Sequence, residues 1–212
     1  MQGKFITLEG GEGSGKSTQC KALAERLKAK GIEVHLTREP GGSDGAELIR
    51  ELLVTGDTNR WSPMTEALLM TAARADHVEK VIKPKLNAGI WVISDRFYHS
   101  MYAYQGFGHG LDVAQLQRLT HTAIGTFTPD LTFILDLPVA IGMARAGGRE
   151  QECQSGEDRF ERMGTSFHEA IRQGFLTLAK EDVKACQVIN ANDTADTITK
   201  SLWQGLVSRF DL

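Results

Sequence analysis

The strongest chemical signal in the chain is a glycine-rich run near its start that ends in a lysine and a serine. Residues 10–17 read GGEGSGKS and fit the pattern G-x-x-x-x-G-K-[ST]. In this pattern the glycines let backbone N–H groups turn inward around an anion, and the lysine reaches the outer phosphates of a nucleotide. The sequence therefore predicts a nucleoside triphosphate site formed by Gly10, Gly11, Glu12, Gly13, Ser14, Gly15, Lys16, Ser17 and Thr18.

Two aspartates follow short apolar runs and are candidates for the acidic residue that such a site needs near its metal ion. Asp95 follows residues 90–94 and is itself followed by Arg96, so one strand end offers a carboxylate for Mg²⁺ and a cation for a phosphate. Asp136 is followed by Leu-Pro, which is typical of a helix entry, where a carboxylate caps the helix or ends the strand. We therefore predict that Ser17 and Asp95 bind Mg²⁺.

Four arginines indicate a second anionic ligand beside the triphosphate. Arg38 and Arg96 each follow a predicted strand, and the carboxyl ends of the strands line the ligand crevice of an open α/β sheet. Arg50 and Arg74 lie on predicted helices, where a solvated or ion-paired surface position is equally open. Because the glycine-rich loop, Lys16 and Mg²⁺ already neutralise one triphosphate, the extra arginines favour a second phosphorylated molecule.

Two classes of nucleotide-binding protein stay open on these residues. No N-K-x-D motif follows a strand, which argues against a guanine-specific switch. A nucleoside monophosphate kinase accounts for the second set of arginines. A partner-regulated ATPase or switch without a small acceptor is the alternative, and its hydrolysis would be indifferent to any monophosphate.

Strand-like and helix-like patterns alternate along the chain. The predicted strands cover residues 5–8, 33–37, 90–94, 131–135 and 187–190. A first helix ends at Gly31, and further helices are predicted over residues 63–86, 111–124, 157–182 and 194–210. This alternation predicts one α/β domain over residues 1–212 with the P-loop NTPase fold: a three-layer α/β/α arrangement with a parallel sheet of about five strands. A small lid is expected at about residues 145–160, and the glycine-rich runs 106–110 and 147–156 are predicted to be loops.

Composition and charge exclude several other classes of protein. The formal net charge of −3 over 212 residues is a poor fit to a general nucleic-acid binder. The apolar runs are strand-sized, far shorter than the roughly 20 residues that span a bilayer. No targeting segment is recognisable, so we expect a cytoplasmic protein that binds no membrane. Cys20, Cys153 and Cys186 are widely spaced, which predicts reduced thiols and neither a zinc site nor a disulfide.

Beyond the phosphate loop, a series of short motifs resembles bacterial thymidylate kinases over essentially the whole chain. The motifs are LEGGEGSGKST at residues 8–18, TREPGG at 37–42, AAR at 72–74, DRF at 95–97 with Ser100, AYQG at 103–106, PDLT at 129–132 and DRFE at 158–161. The phosphate loop alone occurs in many nucleotide-binding families, whereas the REPGG and DRF segments in this order are specific to this one.

The resemblance implies transfer of the γ-phosphoryl of ATP to dTMP, with Mg²⁺, in dTTP biosynthesis. Arg38 and Arg96, with help from Arg50, would bind the acceptor phosphate, and Arg74 and Gln105 would bind the thymine edge. The full set of expected acceptor-binding residues is Glu12, Arg38, Glu39, Pro40, Arg50, Met70, Arg74, Arg96, Ser100, Tyr104 and Gln105. In this set Glu12 would lie near the 3′-hydroxyl of the sugar, and Tyr104 would close the site.

The same resemblance implies catalytic roles and a homodimer. The expected catalytic residues are Lys16, Asp95, Arg96 and Arg149. Arg145 and Arg149 would be the lid arginines that close over ATP, since the phosphate loop carries no arginine. The long helix predicted over residues 63–86 is a plausible dimer interface.

The chain departs from the family pattern in the base site and in the lid. Met70 stands where many members stack a phenylalanine on thymine; it either covers the base with its thioether or belongs to the core. The run from Arg149 to 156 is longer and more acidic than the usual lid. Several arginines are candidates for the lid, and Arg159 and Arg162 are either among them or partners of nearby acidic residues on a helix surface. A preference for another monophosphate, such as dUMP, is the alternative within the class.

Overall fold

A computed structural model describes residues 3–153 and 159–212, with the side chains of residues 149–153 outside the described part. At its centre lies a sheet of five described strands, all parallel, in the order β2-β3-β1-β4-β5. The strands are β1 (Phe5–Glu9), β2 (Val34–Arg38), β3 (Trp91–Asp95), β4 (Leu131–Asp136) and β5 (Cys186–Asn190). This architecture confirms the predicted fold class, and every strand end lies within one residue of its predicted position.

Helices cover both faces of the sheet. In the described residues they are α1 (Lys16–Ala29), α2 (Asp44–Val54), α3 (Pro63–His77), α4 (Lys83–Asn87), α5 (Tyr98–Met101), α6 (Val113–Ile124), α7 (Val139–Cys153), α8 (Thr165–Glu181) and α9 (Ala195–Phe210). A π-helical segment, Val78–Ile82, joins α3 to α4, and a second one, Tyr102–Gly108, extends α5. None of the described helices combines the length and the apolar character needed to cross a membrane.

Strand β1 occupies the middle of the sheet and is buried along its whole length. Ile6 and Leu8 pack with Leu23 of α1 and Leu202 of α9 on one face. Phe5 packs on the opposite face, with the π-helical segment after α3, because successive strand side chains point to opposite sides. Three of its five residues are apolar, and the two polar ones, Thr7 and Glu9, are buried as well, because both faces of the parallel sheet are covered.

The register of the sheet brings the chemically interesting strand ends together. Leu8 of β1 lies opposite Asp95 of β3, and Asp95 in turn lies opposite Arg38 of β2. All three strands run in the same direction, so the phosphate loop that follows β1 opens at the same edge as Asp95 and Arg38. Ligands of open α/β sheets bind at this edge.

The loop that we predicted over residues 106–110 is limited to His109 and Gly110, because Gly106 and Gly108 lie within the π-helical segment Tyr102–Gly108. A Cβ atom at Gly106 would lie 2.9 Å from Cγ2 of Val113, and one at Gly108 would lie 2.6 Å from a ring carbon of Phe167. These glycines therefore allow close packing against α6 and α8. The sequence does not separate this use of glycine from its use in loops.

The second predicted loop, 147–156, is wrong for the residues that the structure describes, because α7 continues through Gly147 and Gly148 to Cys153. Each glycine costs a helix about 1 kcal/mol relative to alanine, but Ala144 and Ala146 on the preceding turn favour the helix. The helix predicted from residue 157 begins only at Thr165, after turns at residues 159–162. Residues 154–158 of the expected lid lie outside the described part.

Candidate active site

The phosphate loop joins β1 to α1 and encloses the side chain of Lys16. The Lys16 Nζ atom donates to the carbonyl oxygens of Gly10 and Gly11, at 3.1 and 2.8 Å. Gly13 has a φ of +67°, and a Cβ atom there would lie 2.0 Å from the carbonyl oxygen of Gly142 on α7. Helix α1 starts without a side-chain cap, so its first N–H groups remain available to an anion.

Ser17 and Asp95 bring two oxygen groups together beside the loop. Ser17 Oγ donates to Asp95 Oδ2 at 2.5 Å in an exposed position. Hydroxyl and carboxylate oxygens suit Mg²⁺, which in phosphate-transfer sites takes about one or two protein ligands besides phosphate and water. The described residues contain no cluster of three or more His, Cys, Asp or Glu side chains that could hold a metal. This pair therefore fits a metal ion that shares its coordination with a nucleotide.

Arg96 follows Asp95 in a backbone conformation that is rare for residues other than glycine. Its φ is +72°, and such a conformation costs of order 1–3 kcal/mol, so the surrounding structure must hold it in place. The guanidinium donates to the Gly10 carbonyl at 3.0 Å, to Ser100 Oγ at 3.1 Å and to Glu12 Oε1 at 2.8 Å. These bonds fix Arg96 between the phosphate loop and α5.

Glu12 lies between Arg96 and Tyr104. The Tyr104 hydroxyl donates to Glu12 Oε1 at 2.5 Å, and the Arg96 guanidinium stands 5.0 Å from the centre of the Tyr104 ring. Burial alone would raise the pKa of Glu12, but Arg96, Lys16 and the Tyr104 hydroxyl outweigh it and lower the pKa from 4.5 to about 2. Glu12 is therefore ionised at neutral pH, where it accepts hydrogen bonds and is a weak base.

A cavity opens on the side of Arg96 that faces α2 and α3. Its lining residues are Glu12, Glu39, Pro40, Arg50, Val54, Met70, Arg74, Arg96, Phe97, Ser100, Met101, Tyr104, Phe160 and Glu161. Three arginines supply positive charge, while methionine and aromatic side chains supply flat apolar surface. A molecule with an anionic group and a planar ring matches this mixture.

The far wall of the cavity is organised by Glu39, which follows β2. Glu39 is buried; its Oε2 accepts from Arg74 Nε at 2.8 Å and its Oε1 lies 3.1 Å from His77 Nδ1. Arg74 Nη1 also donates to Met101 Sδ at 3.8 Å, and the Arg74 guanidinium stands 5.3 Å from the centre of the Phe97 ring. Helix α3 is thereby tied to the end of β2, and Arg74 is held in one orientation.

Comparison with known proteins identifies the family of the chain. The family model described as thymidylate kinase matches residues 8–202. A thymidylate kinase of Afipia carboxidovorans is 49% identical over 208 residues, covering 98% of this chain and 90% of the relative. One of Caulobacter vibrioides is 49% identical over 211 residues, covering 100% and 99%. The chain belongs to the thymidylate kinase family.

A solved structure agrees with this assignment. The crystal structure of thymidylate kinase from Ehrlichia chaffeensis has a TM-score of 0.76 against this chain, at 33% sequence identity. The match covers 97% of this chain and 99% of the other. The agreement therefore extends over the whole fold and is not restricted to the phosphate loop.

Most of the acceptor-binding residues expected of a thymidylate kinase line the cavity. They are Glu12, Glu39, Pro40, Arg50, Met70, Arg74, Arg96, Ser100 and Tyr104. Two others that the structure describes lie elsewhere: the exposed Arg38 pairs with Glu47 at 3.0 Å, and the buried Gln105 donates to Glu66 Oε2 at 3.0 Å. The roles of Arg38 and Gln105 in binding dTMP stay predictions.

The expected lid arginines are only partly described. Arg145 is exposed on α7 and its Nη1 donates to the carbonyl of Ala191, after β5, at 3.4 Å. The side chain of Arg149 lies outside the described residues, so its catalytic role stays a prediction. Asp136, the alternative to Asp95, forms an ion pair with Arg172 at 2.7 Å.

Three buried charged residues around the site were not predicted from the sequence: Glu9, Glu66 and Arg159. A surface ion pair on a helix was one of the two interpretations of Arg159, and it is wrong because the side chain is 2% exposed. Its neighbourhood is formed by residues about a hundred positions earlier in the chain, which no local pattern reveals. The sequence could have indicated Glu9, because this residue ends a buried strand directly before Gly10.

Glu9 is fully buried and accepts three hydrogen bonds, from Phe97 N at 2.8 Å, Ser100 N at 3.3 Å and Ser100 Oγ at 2.5 Å. Burial raises its pKa from 4.5 to about 7, against the opposing effects of Ser100 and Arg96. The native protein therefore binds the Glu9 proton more tightly than the unfolded chain does.

Replacing Glu9 with glutamine should change how stability depends on pH. The pKa of Glu9 is higher in the native protein than in the unfolded chain, so protonated Glu9 stabilises the native state at low pH. The wild-type free energy of unfolding should therefore decrease as pH rises from about 5 to about 8 and Glu9 ionises. The Glu9→Gln variant lacks this loss, so its stability relative to wild type should improve steadily over the same range. Urea unfolding at several pH values measures this difference. Glu25→Gln, at an exposed position on α1, is the control, and parallel curves for wild type and Glu9→Gln would contradict the prediction.

Proposed function

We propose that this chain phosphorylates dTMP to dTDP with the γ-phosphoryl group of ATP, in the presence of Mg²⁺. Membership of the thymidylate kinase family supports the reaction. The observation that carries the assignment of the two subsites is that Glu12 and Arg96 belong both to the surroundings of the phosphate loop and to the lining of the cavity. A donor phosphate at the loop and an acceptor phosphate in the cavity would meet beside the Arg96 guanidinium.

The donor side of the site performs two tasks, alignment and charge neutralisation, which are the main demands of phosphoryl transfer. Lys16 and the N-terminus of α1 hold the phosphates of ATP. Burial and the nearby Arg96 lower the pKa of Lys16 from 10.5 to about 8, so its ammonium group is still mostly protonated at pH 7. Ser17 and Asp95 would hold Mg²⁺, which would supply additional positive charge to those phosphates.

The acceptor side of the site orients dTMP. Arg96 and Arg50 offer cations for its phosphate, and the Arg50 side chain is already oriented by a bond to the Pro40 carbonyl at 2.8 Å. Arg74, fixed by Glu39, offers donors to the polar edge of the base. Met70 lines the same cavity and takes the position where many family members have phenylalanine, and its thioether can cover the face of the ring.

The site must also exclude water, because ATP must react with dTMP and not with solvent. We assign this task to the expected lid, with Arg145 and Arg149 as the arginines that approach the ATP phosphates. Negative charge that develops on the transferring group would then be balanced from the loop, from Arg96 and from the lid.

A homodimer accompanies this proposal. Leu48 and Leu52 on α2 and Leu68 on α3 are 68%, 38% and 50% exposed, and α2 packs against α3. Neighbouring exposed leucines suit contact with a second copy of the chain, and light scattering in solution tests the dimer. The single-domain organisation and the cytoplasmic location stay predictions from the sequence.

The experiment that tests the function is an ADP-release assay with ATP, Mg²⁺ and a panel of nucleoside monophosphates, with products identified by mass. We expect rapid turnover of dTMP, slower turnover of dUMP and little turnover of AMP, CMP or GMP. Faster turnover of another monophosphate would keep the mechanism and change the specificity. ATP hydrolysis that no monophosphate stimulates would overturn the proposal in favour of the switch class.

A further inference from the structure

Arg159 is among the largest fully buried side chains in the described part of the protein. Its Nε donates to the Asp57 carbonyl at 2.8 Å, Nη1 to the Leu53 carbonyl at 3.1 Å and Nη2 to the Thr58 carbonyl at 2.8 Å. All three acceptors belong to the last turn of α2 and the loop that follows it. The planar guanidinium thus binds three backbone carbonyls of this stretch at once.

The charge of Arg159 is matched by Glu66 on α3. Arg159 Nη2 bonds to Glu66 Oε1, and the Glu66 side chain is 1% exposed. The second Glu66 oxygen accepts from Gln105 Nε2 at 3.0 Å, and His109 Nε2 lies 3.7 Å away. Because both charges are buried, removal of either one leaves the other without compensation. The ion pair between Arg159 and Glu66 therefore connects α3, the α2–α3 loop and the π-helical segment Tyr102–Gly108.

Chain neighbours of Arg159 and of its partner Leu53 form part of the acceptor cavity. Phe160 and Glu161, directly after Arg159, line the cavity, and so does Val54, directly after Leu53. The Phe160 ring meets Tyr104 edge to face with centroids 5.6 Å apart, and Tyr104 donates to Glu12. Arg159 thus affects where residues of the cavity wall lie, although it does not line the cavity itself.

We propose that Arg159 is a positioning residue for the acceptor: its ion pair with Glu66 holds Val54 from one side and Phe160 with Glu161 from the other, and so shapes the dTMP site. This inference rests on the proposed function. Arg159 does not line the cavity or contact the phosphate loop among the described residues, so its loss should weaken dTMP binding and spare ATP binding.

The test is a comparison of kinetic constants for Arg159→Met, Arg159→Lys and Glu66→Gln, with Arg118→Met on the exposed surface of α6 as the matched control. For Arg159→Met we expect KM for dTMP to rise about tenfold or more while KM for ATP changes less than about twofold. The dissociation constant of dTMP, measured by calorimetry without ATP, should rise in parallel. Arg159→Lys keeps the charge but cannot reach three carbonyls, so it should restore only part of the affinity.

Thermal unfolding of each variant separates positioning from simple loss of fold. If Arg159→Met fails to fold, the milder Arg159→Lys and Glu66→Gln variants decide the question. Equal changes in KM for dTMP and ATP, or unchanged dTMP binding in the folded variants, would overturn the inference. The same holds if all three variants unfold, because the pair then serves stability alone. A wild-type protein that does not phosphorylate dTMP would instead overturn the proposed function.

Discussion

Replacing Lys16 with alanine is expected to lower kcat for dTMP phosphorylation by about a thousandfold, with little effect on folding. The ammonium group lies against the Gly10 and Gly11 carbonyls inside the phosphate loop, and the only other positive charge that the described hydrogen bonds place on these carbonyls is that of Arg96, on Gly10. Loss of one preorganised charge that acts on the transition state typically costs about 10²–10³ in rate. Steady-state kinetics at saturating ATP and dTMP measures the effect.

The control for this substitution is Lys21→Ala, which removes an exposed lysine from the same helix, α1. It should leave kcat unchanged. Circular dichroism and thermal unfolding must show that the Lys16→Ala variant is folded before its rate is interpreted. A folded Lys16→Ala protein with nearly wild-type turnover would remove Lys16 from the mechanism and leave charge neutralisation to Arg96 and Mg²⁺.

Loss of the Arg96 side chain is expected to have an effect of similar size, with a distinctive pattern between two variants. Both Arg96→Ala and Arg96→Gly remove the guanidinium that bonds to Gly10, Ser100 and Glu12. We expect kcat/KM for dTMP to fall by about a hundredfold or more in each, because charge stabilisation and the position of Glu12 are lost together.

The two Arg96 variants should differ in stability, because the backbone at this position has a φ of +72°. Glycine adopts this conformation freely, whereas alanine pays about 1–2 kcal/mol for it. Chemical unfolding should therefore find Arg96→Gly more stable than Arg96→Ala, although both should lose activity to a similar extent. Equal stability of the two variants would show that the backbone relaxes once the guanidinium is gone, and substantial activity in either would contradict the role of Arg96.

The part of the protein that the sequence determined is the part in which neighbours in the chain act together. The phosphate loop needs consecutive residues between a strand and a helix, so GGEGSGKS predicts both the chemistry and its location. Asp95 and Arg96 are adjacent and end a buried strand, so parallel strands bring them to the loop without further information. The five strands were recognisable for the same reason, since each is a short run of adjacent residues rich in β-branched and other apolar side chains.

Gln105 and the π-helical segment that contains it were beyond such local reasoning. The glycines around this segment predict a loop, yet the structure uses them for packing against α6 and α8. Gln105 consequently faces Glu66 and not the acceptor cavity. Arg38 is a similar case, because its strand-end position is correct but its side chain pairs with Glu47.

The burial of Arg159 was decided by the tertiary structure and not by the local sequence. Its partners in the α2–α3 loop are separated from it by 101 to 106 positions, so its burial depends on how helices and loops pack and not on the residues beside it. A run of alternating charges reads as a solvated surface by local rules. Only the folded chain surrounds this guanidinium with three carbonyls and a carboxylate, because satisfying a buried charge requires groups that the sequence places far apart.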